Sequence, residues 1–240
     1  MSNKFTTQDF VIAISARDLN PTMLNVDFLR YGGVLPIDWE LARAPIYTNR
    51  ASQIVFTNGV NILTEGNRII FAEPIINKSF ASILTPNIAQ KYAESLPNMK
   101  FEVVDINIRG YLAFEDSSSA REYVSGKLLS NASWQTENMR ASLNLAYEYE
   151  ENLLGLNITE ATLQGDENEI VTPIVMFTGR YNYQLKGENN QEIIAHLGQI
   201  VANSQTNLNR YFELIDTKFL SSEELIAEDT QVHNLFAMSV

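Results

Sequence analysis

Cysteine is absent from the 240 residues, and histidine occurs only twice. Without cysteine there are no disulfides, thiol nucleophiles, zinc fingers or iron–sulfur ligands. With His196 and His233 as the only imidazoles, histidine-rich metal sites and histidine-based triads are excluded too. Any chemistry is left to carboxylates, hydroxyls and arginines. Glycine-based signatures are also missing. No Gly-x-Gly-x-x-Gly follows a strand, Gly126-Lys127 lacks the upstream glycine and hydroxyl of a phosphate loop, and no Gly-x-Ser-x-Gly elbow occurs. No run approaches the roughly 18 apolar residues of a membrane helix. The N-terminus has no signal-type apolar core. A soluble, cytoplasmic protein, away from membranes, is expected.

Positive charge is scarce. There are 17 basic and 29 acidic side chains, a net of −12. The imbalance lies in the second half: residues 1–120 carry 10 basic and 12 acidic groups, residues 121–240 carry 7 and 17. An acidic surface repels phosphate backbones, so no nucleic-acid partner is expected. Charged residues are only 19% of the chain, and 24 asparagines take part of their place. Asparagine bonds its own backbone and favours turns and helix caps.

Hydrophobic residues make up 45% of the chain, enough for a substantial core. An apolar run at 10–16 reads as a buried strand. Leu24, Val26 and Phe28 alternate with polar residues, which reads as a half-buried strand, and 36–43 reads as a short helix. Residues 53–73 read as a β-meander with turns at Asn58-Gly59, of type I′, and at Gly66. Thr85 reads as an N-cap before Pro86, opening a helix with Ile88, Tyr92 and Leu96 on one face. Val104, Ile106, Ile108, Leu112 and Phe114 share one parity of a long strand. Ser119 with Glu122 resembles a capping box.

Three more strands follow, at 141–149, 154–158 and 170–186. Pro173 reads as an edge or bulge position in the last. A stripe of 3.6-residue period from Ile193 to Phe219 then predicts a helix of about 30 residues. Strands in consecutive runs with helices between them define an α+β class: mostly antiparallel sheet, helices packed on one face, and a long C-terminal helix at about 190–220. The chain reads as one α+β domain, 1–240. The order of elements allows pseudo-duplicated halves, 1–130 and 131–240.

One constellation stands out. Asp105, Asn107, Arg109 and Tyr111 share one strand face, and Arg180, Asn182 and Gln184 share a face of another. If the two strands are neighbours, arginines and amides line a polar groove suited to carboxylate or phosphate recognition. The plainer alternative is a solvated outer sheet face. Glu148, Glu150 and Glu151, like Asp166, Glu167 and Glu169, read as charged turns without Ca²⁺-loop spacing. No metal site and no cofactor are expected.

The strand at 101–114 with Arg109-Gly110-Tyr111, and the strand–long helix pair ending Leu208-Asn209-Arg210-Tyr211-Phe212-Glu213-Leu214-Ile215, resemble a sporadically distributed bacterial family of uncharacterised proteins of similar length. The resemblance implies an α+β fold and carries over no functional residue. The first expectation for function is a non-enzymatic interaction or assembly protein with a protein partner or a homodimer, the long helix extending its stripe into the dimer. The second is a small-ligand binder, of carboxylate or phosphate, or a carboxylate-based enzyme. It would use Asp105, Asn107, Arg109, Tyr111, Arg180 and Asn182.

Overall fold

The computed structural model describes residues 5–136, 139–150, 152–164 and 171–220. They fall into two compact units, one ending at Gln205 and the other beginning at Thr206. The first unit is built on a nine-stranded sheet in which every pairing is antiparallel. In chain order the strands are β1 (Phe5–Arg17), β2 (Ile46–Tyr47), β3 (Ala51–Val55), β4 (Asn61–Glu65), β5 (Arg68–Pro74), β6 (Lys100–Ala113), β7 (Ser142–Glu148), β8 (Leu153–Gln164) and β9 (Val171–Gln184). Their order in space is β2-β3-β4-β5-β1-β6-β9-β8-β7.

The helices are α1 (Val26–Tyr31), α2 (Thr85–Glu94), α3 (Ser117–Glu122), α4 (Asn190–Ala202) and α5 (Ser204–Ile215). Those of the first unit pack on one face. Phe10, Ile12, Ile14, Phe71, Val104, Ile106, Ile108 and Phe177 point there and are buried. The alternate residues, among them Val11, Ser15, Leu63, Ile70 and Asn107, form an open face and stay half-exposed. The period-2 pattern therefore places the core on one side of a long sheet.

The connectivity repeats. β1 leads through α1 to a meander, β3-β4-β5, whose last strand pairs back on β1 before α2 begins. β6 leads through α3 to a second meander, β7-β8-β9, whose last strand pairs back on β6 before α4 begins. β1 and β6 lie side by side at the centre. The repeated order begins again at β6, after α2.

Several local expectations are corrected. Residues 26–31 are helix, not strand, because the Asn25 side chain accepts the Phe28 N–H and caps α1. Residues 36–43 form no helix: Leu41 bridges Phe56, and Arg30 donates to the Trp39 carbonyl. At Asn58-Gly59 only the glycine has positive φ, +90°. The turn is thus a three-residue loop ending in a left-handed glycine, with Gly59 N–H on the Phe56 carbonyl and Phe56 N–H on that of Val60.

Thr85 is not the cap of α2; a carboxylate from β5 does that work, as set out below. The cap of α3 is Asp116, not Ser119. The Ser118 hydroxyl and the Ser119 N–H and hydroxyl bond Asp116 and hold its carboxyl at about 2. Pro173 lies in an interior strand, opposite Thr162. It is tolerated because it sits past the end of β6, where its carbonyl accepts the Phe114 N–H.

The helical stretch 190–220 is present but broken at Asn203, whose N–H bonds back to Gln199. In α4 the stripe is used within the chain, where Leu197, Ile200 and Val201 are buried and the helix packs on α2 and β6. In the second unit α5 continues to Ile215 and ends in a π-helical turn, Asp216–Leu220. Tyr211 and Phe212 contact edge to face there, at 5.9 Å. The Asp166 cluster, Glu151 and His233 lie outside the described residues.

Candidate functional site

β6 and β9 are neighbours. Asp105 pairs with Asn182, Asn107 with Arg180, Arg109 with Thr178 and Tyr111 with Met176, all on the open face. The register thus brings all six expected residues onto one surface. The arginines, however, do not converge on a shared space.

Asp105 is the hub. Only 2% of it is exposed, although it lies on the open face. Arg180 donates to it through Nε at 3.0 Å and Nη2 at 2.9 and 3.0 Å. Asn182 Nδ2 donates at 2.6 Å. Arg68, from β5, reaches across β1 and donates at 2.6 Å. The β1 residue between them, opposite both Ile70 and Asp105, is Ala13, whose small side chain leaves room for that crossing. A buried carboxylate is costly unless its lone pairs are filled, and here charge-assisted donors fill them.

Arg109 turns the other way. It forms a bidentate pair with Asp9 of β1 at 2.8 and 2.5 Å, and this hydrogen bonding raises the guanidinium above its ordinary value. The bulge in the β1–β6 pairing between Thr7 and Asp9 sets Asp9 opposite Arg109. Arg68 and Asp9 were not singled out from the sequence. Their one sequence signal is polar parity within apolar strands, and that does not say which strands adjoin.

A second buried carboxylate was also missed. Glu73 points to the helix face and is 1% exposed. Its two oxygens accept the Leu84 N–H at 3.0 Å each, and one accepts the Thr85 N–H at 3.2 Å. Lys78 Nζ lies 3.7 Å away. Glu73 thus caps α2 from a neighbouring strand and meets the positive end of the helix dipole. Burial nevertheless pushes its carboxyl above the ordinary value, against those bonds and Lys78.

His196 sits at the rim of α4, its Nδ1 accepting the Lys186 N–H at 3.0 Å. Among the described residues no group of three or more His, Asp or Glu lies close enough to hold a metal ion, and no helix is long and apolar enough to cross a membrane. A cavity of about 410 Å³ opens beside Arg17, Asp18, Met23 and Pro97, away from the Asp105 cluster. Arg17 is there paired with Glu102 at 2.7 Å. No protein-family model matches the chain, and no curated protein matches it significantly in sequence.

Proposed function

We propose that the protein is a non-enzymatic interaction or assembly protein. One observation carries this: the carboxylates Asp105 and Asp9 of the open face are engaged by neighbouring arginines and an amide. Asp105 is filled by Arg68, Arg180 and Asn182, and Asp9 is held by Arg109 in a bidentate pair. A catalytic carboxylate needs a lone pair free for a substrate proton, and these are occupied. Such a network suits a rigid platform. The repeated connectivity supports a platform built of two similar β-α-βββ-α halves side by side.

The test is the mass of the full chain in solution, by light scattering and native mass spectrometry. The proposal expects at least twice the monomer mass of 27.1 kDa, or a stoichiometric complex with another protein. A strictly monomeric chain without a stoichiometric partner contradicts it.

A second reading, a carboxylate or phosphate binder, is favoured by the exposure of the same arginines. The side chains of Arg109 and Arg180 are 46% and 54% exposed, so each keeps donors toward solvent. It requires saturable anion binding that Arg109→Ala and Arg180→Ala both abolish. Titration calorimetry with a panel of carboxylates and phosphates that finds none removes it.

A further inference from the structure

The two ends of the sheet differ. At one end β3 is covered by β2 and by the Leu41–Phe56 bridge. At the other, among the described residues, β7 pairs only with β8. β7 is seven residues long, Ser142-Leu143-Asn144-Leu145-Ala146-Tyr147-Glu148, with no proline, no lysine and one charge. Natural sheets blunt free edges with such residues or with short strands, and among the described residues nothing covers this one.

The hydrogen-bond phase of that edge follows from one bond. Tyr149 N–H donates to Asn152 O, so odd-numbered residues of β7 bond inward to β8. The N–H and C=O groups of Ser142, Asn144, Ala146 and Glu148 therefore point outward. Leu143, Leu145 and Tyr147 lie on the helix side and are only half-buried.

We infer that β7 pairs antiparallel with β7 of a second copy, about a two-fold axis through Leu145, joining two nine-stranded sheets into one. This rests on the assembly reading above and names its partner. In that register Ser142 faces Glu148 of the other copy and Asn144 faces Ala146. All outward groups are then in bonded pairs, and the edge of each copy is fully satisfied. Leu145 meets Leu145, and Leu143 meets Tyr147, in the close non-bonded pairs where side chains touch most. Beyond the strand ends the same register sets Arg140 opposite Glu150 of the other copy, with Glu148 on the diagonal. Arg140 is exposed and belongs to none of the ion pairs among the described residues. Charge complementarity at both ends thus selects a second copy over an unrelated strand. Glu148 meets a serine rather than another carboxylate.

The test uses the full chain in sedimentation equilibrium. Ala146→Pro removes an outward N–H and leaves the β7–β8 ladder intact. It is expected to weaken dimerisation about tenfold or more, with circular dichroism unchanged. Arg140→Glu sets like charges across the axis and is expected to weaken it about tenfold. Arg140→Glu with Glu150→Arg restores the pairs and the affinity. A dimer untouched by these variants overturns the β7 contact while leaving the assembly reading in place. A chain that is monomeric, whether alone or with another protein or its own tail on the edge, overturns the dimer; the assembly reading fails only if no partner is found.

Discussion

Replacing Asp105 with alanine removes the acceptor on which three strands converge. Four donor atoms lose their acceptor: Arg68 Nη2, Arg180 Nε and Nη2, and Asn182 Nδ2. A fully buried ion pair broken on one side costs roughly 3–5 kcal/mol. Here the arginine side chains are 41% and 54% exposed and rehydrate when released, which lowers the cost. We expect Asp105→Ala to destabilise by about 2–3 kcal/mol. Asp105→Asn keeps an acceptor but loses the charge, and should cost about half as much. Arg180→Ala leaves Arg68 and Asn182 on Asp105 and should cost about 1 kcal/mol. Urea unfolding followed by circular dichroism reads these as midpoint shifts; with a slope of about 2–3 kcal/mol/M the alanine variant moves by about 1 M. A shift for Asp105→Ala below a quarter of that, or Arg180→Ala costing more than Asp105→Ala, would refute the hub.

Four further outcomes follow from the fold. Glu73→Ala strips the cap from α2 and leaves the part-buried N–H of Leu84 and the buried N–H of Thr85 without an acceptor, a loss of about 2–3 kcal/mol in the same assay. Because burial raises the Glu73 carboxyl in the folded state, its ionisation disfavours folding. Relative to Glu73→Gln, the native chain should therefore be most stable below the ordinary carboxyl value of 4.5 and lose that advantage as pH rises through the raised value. A relative gain on raising the pH contradicts the direction. Asn25→Ala removes the bond to Phe28 N–H and should cost about 1 kcal/mol in thermal unfolding, whereas Asn25→Ser should be near neutral. Gly59→Ala forces an alanine to φ +90° with its Cβ 3.0 Å from the Pro74 ring, and should cost about 1–2 kcal/mol.

What was legible beforehand was periodic. The parity of Val104, Ile106 and Ile108 against Asp105, Asn107 and Arg109 marked both faces of β6, and the 3.6-residue stripe marked the helix from 190. What was not legible depended on partners far along the chain. Arg68 and Asp105 are 37 residues apart and Asp9 and Arg109 are 100 apart; only the strand order brings them together. The Arg109 and Arg180 faces were recognised as polar surfaces. Their pairing with internal carboxylates was hidden because sequence does not say which strands adjoin. The helix at 26–31 was missed for a different reason: three apolar residues alternate too briefly to outweigh a local cap at Asn25. Glu73 was hidden because a charged residue within an apolar strand gives no sign of a helix end that tertiary packing brings near.

Residue-resolved amide exchange of β7, as a function of protein concentration, tests assembly through this edge most directly. The amides of Leu143, Leu145 and Tyr147, bonded to β8, should be protected at every concentration. Those of Asn144, Ala146 and Glu148 should exchange fast when dilute and become protected as the chain associates. Outward amides that stay fast at concentrations where the chain is associated would contradict it.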